Sequence, residues 1–82
     1  MSTKTLKRSV HMSLLKKAET DRYEAKVSLY YLLDHPAGIG DHSTGDLHDN
    51  LNEALSKLAD AEDRLETLQR YEWMFDMGNE DE

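Results

Sequence analysis

The sequence predicts an all-α fold: an antiparallel two-helix hairpin, coiled-coil-like, that assembles into a homodimeric four-helix bundle. Three observations carry this expectation. Leu47, Leu51, Ala54, Leu58, Ala61, Leu65, Leu68, Glu72 and Phe75 follow one another at alternating steps of four and three, with Glu72 the one polar member. That is the roughly 3.5-residue period of a helix built to lie along another helix. A second series, Leu15, Ala18, Arg22, Ala25, Leu29 and Leu32, repeats the step earlier in the chain, with Arg22 as its defect. Between the two series, Asp34 to Gly45 hold the only proline and three of the four glycines.

The chain reads as a single domain over residues 1–82. The first helix is expected over about residues 5–33, a stretch free of glycine and proline. A loop follows over residues 34–43. Pro36 stops the first helix because it lacks an amide donor and disfavours helical geometry in its predecessor. Gly38 and Gly40 permit the positive φ of a tight reversal, and Ile39 is placed to plug the open end between the helices. Ser43 or Thr44 can cap the second helix, expected over about residues 44–75, and Asp46 and Asp49 suit its positive end. Along its outer face Glu53 and Lys57, Asp60 and Arg64, and Glu66 and Arg70 stand four apart in the favourable order. Residues 77–82 are acidic and are expected to fray into a disordered tail.

Folding about Ile39 sets Leu32 near Leu47, Ala25 near Ala54, Ala18 near Ala61 and Leu15 near Leu65. Alanine then meets alanine, allowing close approach, and Lys7 or Arg8 falls opposite Glu72. Residues 1–17 contain five bases and no acid, whereas residues 35–82 contain three bases against thirteen acids. Opposed charge blocks of this kind commonly pair within a hairpin. Two helices cannot enclose a core, however. Leu14, Leu33, Leu55, Tyr30 and Phe75 fall beside the seam, and with no cysteine in the chain no disulfide or thiolate metal site can compensate. A second copy is the expected further layer. Its self-association seam is Leu15, Ala18, Ala25, Leu29, Leu32, Leu47, Leu51, Ala54, Leu58, Ala61, Leu65, Leu68 and Phe75.

No catalytic constellation is visible, and an enzyme is not expected. Neighbouring acids such as Glu62 and Glu66 suit a solvated helix face, and nothing positions a nucleophile. His35, His42 and His48 cluster with Asp34, Asp41, Asp46 and Asp49, but their spacing matches no known ligand pattern, so neither metal nor cofactor is expected. Gly38 and Gly40 lack the preceding strand and the lysine of a phosphate loop. Tyr71, Trp73, Met74, Phe75 and Met77 crowd the end of the second helix. They either pack under Leu6, Val10 and Met12 or offer a contact of the aromatic and methionine kind favoured at interfaces. Tyr30 and Tyr31 adjoin, so one is expected in the core and the other outside. Candidate partner contacts are Ile39, Tyr31, Trp73 and Met77. No apolar run approaches the roughly 18 residues of a membrane span, and the polar, basic start carries no signal peptide.

The stretch Leu32-Leu33-Asp34-His35-Pro36-Ala37-Gly38-Ile39-Gly40-Asp41-His42, followed by Ala61-Glu62-Asp63-Arg64-Leu65-Glu66-Thr67-Leu68, resembles a family of short uncharacterised proteins of T4-like cyanophages. Their recurring pattern is similar to "LL, two residues, P-x-G-I-G-acid-H" and then "E-D-basic-L-E-x-L". The likeness spans about residues 29–71. Family members often have proline after the loop unit, where this chain has Ser43-Thr44-Gly45. The resemblance implies a small phage accessory protein in the cytoplasm of an infected host, with no activity to carry over. The expected function is non-catalytic, through protein–protein contact, modulating a host protein. The alternatives are a virion or assembly component, or an acidic nucleic-acid mimic using Asp41 to Glu82. Direct DNA binding through Lys4, Lys7, Arg8, Lys16 and Lys17 is the weakest reading, since an acidic chain repels nucleic acid.

Overall fold

The computed structural model describes residues 2–34 and 44–75, and these are all-helical apart from Ser2 and Tyr71. Helix α1 runs Thr3–Asp34, α2 runs Thr44–Arg70, and a single turn, α3, covers Glu72–Phe75. The two long helices pack against each other, and α3 packs on α1. At about 1.5 Å per residue, the 32 residues of α1 span about 48 Å.

Helix α1 starts two residues earlier than the apolar pattern indicates, and Ser2 is the reason. Its hydroxyl accepts the Thr5 amide at 3.1 Å and shares a hydrogen bond with the Thr5 hydroxyl at 2.9 Å. Its carbonyl accepts the Leu6 amide at 3.0 Å. One of the four orphan amides of a helix start is thereby satisfied by a side chain.

The second helix is not continuous to Phe75. It is interrupted at Tyr71. The Tyr71 amide still reaches the Thr67 carbonyl at 3.0 Å, but the Met74 amide turns to the Tyr71 carbonyl, three residues back, at 2.9 Å. This tightening is a usual way for a helix end to satisfy its last carbonyls. Glu72, expected in the seam, is instead exposed at the start of α3, while Phe75 returns to a half-buried position.

The core lies along the line where the alanines meet. Ala18 and Ala61 are 0% exposed, Ala25 4% and Ala54 5%, and they are the buried hydrophobic residues among those described. Alanine permits the short end of the 8–10 Å range of helix separations, which suits the enclosure of all four side chains. At about 0.8 kcal/mol per buried carbon they contribute roughly 3 kcal/mol, a thin core for two helices of this length. Leu15, Leu29, Leu32, Leu47, Leu51, Leu58, Leu65 and Leu68 are only half-buried.

The three spaced pairs on α2 form ion pairs. Lys57 meets Glu53 at 3.3 Å, Arg64 meets Asp60 at 3.0 Å and Arg70 meets Glu66 at 3.5 Å. Exposed pairs such as Lys57–Glu53 are worth about 0.3–0.5 kcal/mol. They favour the helix and do not hold α2 to α1.

Candidate interaction surface

Three faces follow from counting round each helix from its alanines. Asp21 stands three residues after Ala18, and Arg64 three after Ala61. The Arg64 guanidinium donates to the Asp21 carboxylate at 2.8 Å across the hairpin, so these two flanks share one side. Both side chains lean toward the N-terminus of their own helix. In an antiparallel pair they therefore converge over the Ala18–Ala61 layer. The same lean brings Phe75 to His11, with ring centroids 5.0 Å apart.

The charge tucked against the seam is thus Asp21 and not Arg22, which is exposed. Asp21 also accepts from Lys17 at 2.9 Å, and its side chain is 23% exposed. Hydrogen bonds from Lys17 and then Arg64 hold its carboxyl below the usual value, while Asp21 holds the Arg64 guanidinium above its own. Both shifts point away from neutral pH. The pair stays ionised, so it fixes the helices and has no proton to exchange near pH 7. An open groove runs along this polar side, bounded by Asp21, Ser28 and Tyr31 on α1 and by Asn50, Lys57 and Arg64 on α2.

The opposite side is apolar. Leu29, Leu58 and Leu65 each stand four residues after an alanine, and Leu15 and Leu51 four after His11 and Leu47. Beside this row Met12, Leu33 and Leu55 are 49%, 62% and 53% exposed. The sequence pattern predicts one seam serving both the hairpin and its oligomer. The structure divides that series. Ala18, Ala25, Ala54 and Ala61 are enclosed within the hairpin, whereas the leucines keep an outer surface.

The third face is the back of α1, turned away from α2. Tyr23 and Tyr30 stand there, and Val27 and Tyr31 continue the exposed ridge round to the rim of the polar groove. Tyr30 and Tyr31 are both outside, contrary to the expected division of one in and one out, because neither stands within a step of the alanine line. Tyr23 and Val27 escape a search for seam periodicity for the same reason. Their spacing of four was the available signal.

At the far end Tyr71 and Trp73 make a tilted ring contact, 6.4 Å between centroids and 53° between planes. Trp73, Met74, Leu6, Val10 and Met12 all remain exposed. Of this cluster, Phe75 is half-buried and meets His11 on α1. Among the candidate contacts, Tyr31 and Trp73 are exposed, while Ile39 and Met77 lie outside the described residues, as do the loop over 35–43 and the tail over 77–82.

Of the histidines near the reversal, His48 is exposed on the first turns of α2, and His35 and His42 lie outside the described residues. Among the described residues no group of three or more His, Asp or Glu could hold a metal ion, and no helix is long and apolar enough to cross a membrane. No protein-family model, curated protein or solved structure matches the chain.

Proposed function

We propose that this protein is a non-catalytic helical hairpin that acts by packing against protein. The observation that carries the reading is the imbalance between core and surface. Four alanines are buried among the described residues, while thirteen large hydrophobic side chains are exposed. Single exposed apolar residues are ordinary, but ridges such as Tyr23, Val27 and Tyr30 mark contact surfaces. Tyrosine and tryptophan are also the residue types that contribute most at protein interfaces.

In this reading the protein is an accessory factor of a cyanophage that binds a host protein in the cytoplasm of the infected cell. The likeness of its loop to cyanophage proteins supports that setting. The tyrosine ridge and the Tyr71–Trp73 end would meet the partner. A virion or assembly role is the second reading, favoured by the straight apolar side along both helices. The nucleic-acid mimic gains little, since Glu53, Asp60 and Glu66 are each paired with a base on their own helix.

The test is a pull-down of tagged protein from phage-infected cyanobacterial lysate, with and without nuclease, beside a Tyr23→Ala/Tyr30→Ala variant. A nuclease-resistant, stoichiometric host protein lost in the variant is the expected result. Recovery of capsid or tail proteins supports the assembly reading. Recovery of nothing beyond the bait overturns the binding of another protein.

A further inference from the structure

The apolar side of the hairpin has a definite shape and charge pattern, and together these point to its occupant. We propose that a second copy of this chain covers the leucine side, with α1 of each copy lying on α2 of the other about a two-fold axis parallel to the helices. This deepens the protein-binding reading above by naming one partner and the geometry of its docking.

The area is sufficient. Two helices side by side, each about 10 Å across and about 45 Å long, offer about 900 Å² per copy. A pair of such faces buries about 1800 Å², within the usual size of a specific interface. The leucine row covers about 21 Å of that length, fourteen residues at about 1.5 Å each, from Leu15 and Leu65 to Leu29 and Leu51, and exposed Met12, Leu33 and Leu55 extend the apolar surface beside it. Covering it would complete the burial that the alanine line leaves half-finished.

Charge selects the arrangement. Helix α1 carries seven bases (Lys4, Lys7, Arg8, Lys16, Lys17, Arg22 and Lys26) against four acids. Helix α2 carries three bases against seven acids. Laying α1 on α1 and α2 on α2, as a perpendicular two-fold axis would, sets like net charge against like. The parallel axis sets α1 against α2 at every contact and keeps each residue at its own level along the bundle. Complementary potentials of this kind fix register and orientation.

One residue pair makes the choice specific. Arg22 stands on the leucine flank, four residues after Ala18, and interrupts the row between Leu15 and Leu29. It is exposed and has no ion pair within the hairpin among the described residues, and the same is true of Glu62, one residue past Ala61 on the rim of that flank. With the parallel axis, Arg22 falls at the level of Leu58 of the partner subunit. Its lean toward the N-terminus carries the guanidinium to Glu62 of the partner subunit. The perpendicular axis would instead bring it to Glu19 of the partner subunit.

The test uses the full chain, with light scattering across a dilution series and circular dichroism as a check on folding. The wild type is expected to dimerise. Arg22→Glu and Glu62→Arg, both at exposed positions, should each keep their helicity and weaken dimerisation by about tenfold or more, and the double exchange should restore most of it. Rescue by Glu19→Arg in place of Glu62→Arg overturns the parallel axis. Single variants that dimerise like the wild type overturn the Arg22–Glu62 pairing. A wild type that stays monomeric throughout overturns the dimer. That last result is separate from the host-protein reading, which the pull-down decides.

Discussion

Ala61→Leu is the most direct test of the alanine line. Ala61 and Ala18 are both 0% exposed, so the layer has no room for the three carbons that leucine adds. The helices must part there, which also lifts the neighbouring Leu58 and Leu65 from their half-buried seats. Overpacking of this kind costs about 1–3 kcal/mol. For a chain this small, with a urea dependence near 1 kcal/mol per molar, the unfolding midpoint should fall by about 1–3 M. Ala59→Leu is the control. Ala59 is exposed on the same helix, so the same chemical change should stay within about 0.5 kcal/mol. Urea titrations followed by circular dichroism at one fixed protein concentration give the comparison, because self-association would otherwise couple stability to concentration. Equal midpoints for Ala61→Leu and Ala59→Leu would refute the close packing of alanine on alanine.

Three further outcomes follow from particular contacts. The Asp21 carboxyl is held below its ordinary value of 3.8 by Lys17 and Arg64, so its stabilising contribution is complete at neutral pH and is lost as pH falls below about that value. Asp21→Asn should therefore be less stable than the wild type at pH 7, with the difference shrinking toward pH 2 in acid titrations; a difference that grows in acid would contradict the pairing. Ser2→Ala removes the acceptor of the Thr5 amide, and hydrogen exchange at Thr5 should quicken, with about 1 kcal/mol lost from the first turn; unchanged exchange would show that the cap is not formed. Phe75→Ala removes the contact with His11, so α3 should loosen and the fluorescence anisotropy of Trp73, the only tryptophan, should fall. An unchanged anisotropy would mean that α3 is held by other contacts.

The two long helices, their pairing and the identity of the alanine line are legible in the chain because each rests on periodicity. A seven-residue recurrence of alanine on both helices leaves one way to bring small residues together, and the i,i+4 ion pairs of α2 are local consequences of helical geometry. The interruption at Tyr71 is a different matter. Its apolar pattern continues through Phe75, and the end of the helix depends on how backbone carbonyls there find donors. The Ser2 cap is local and readable in principle, but the polar residues before the first apolar position carry no periodicity to mark a helix start.

A helical hairpin with an alanine seam is written in the periodicity of the chain, because burial at a fixed period needs no knowledge of distance. Which charge sits against that seam depends on how the two helices are laid together. Asp21 and Arg22 are adjacent, and periodicity favoured Arg22, since it continues the leucine series. The side chains settle it otherwise: Asp21 lies on the flank that Arg64 can reach, whereas Arg22 lies on the leucine side and makes no ion pair among the described residues. The division into a polar side, a leucine side and a tyrosine ridge has the same origin. A seam pattern says which residues point between two helices, but the side on which each remaining residue falls is fixed only when the second helix is laid down in its direction and register.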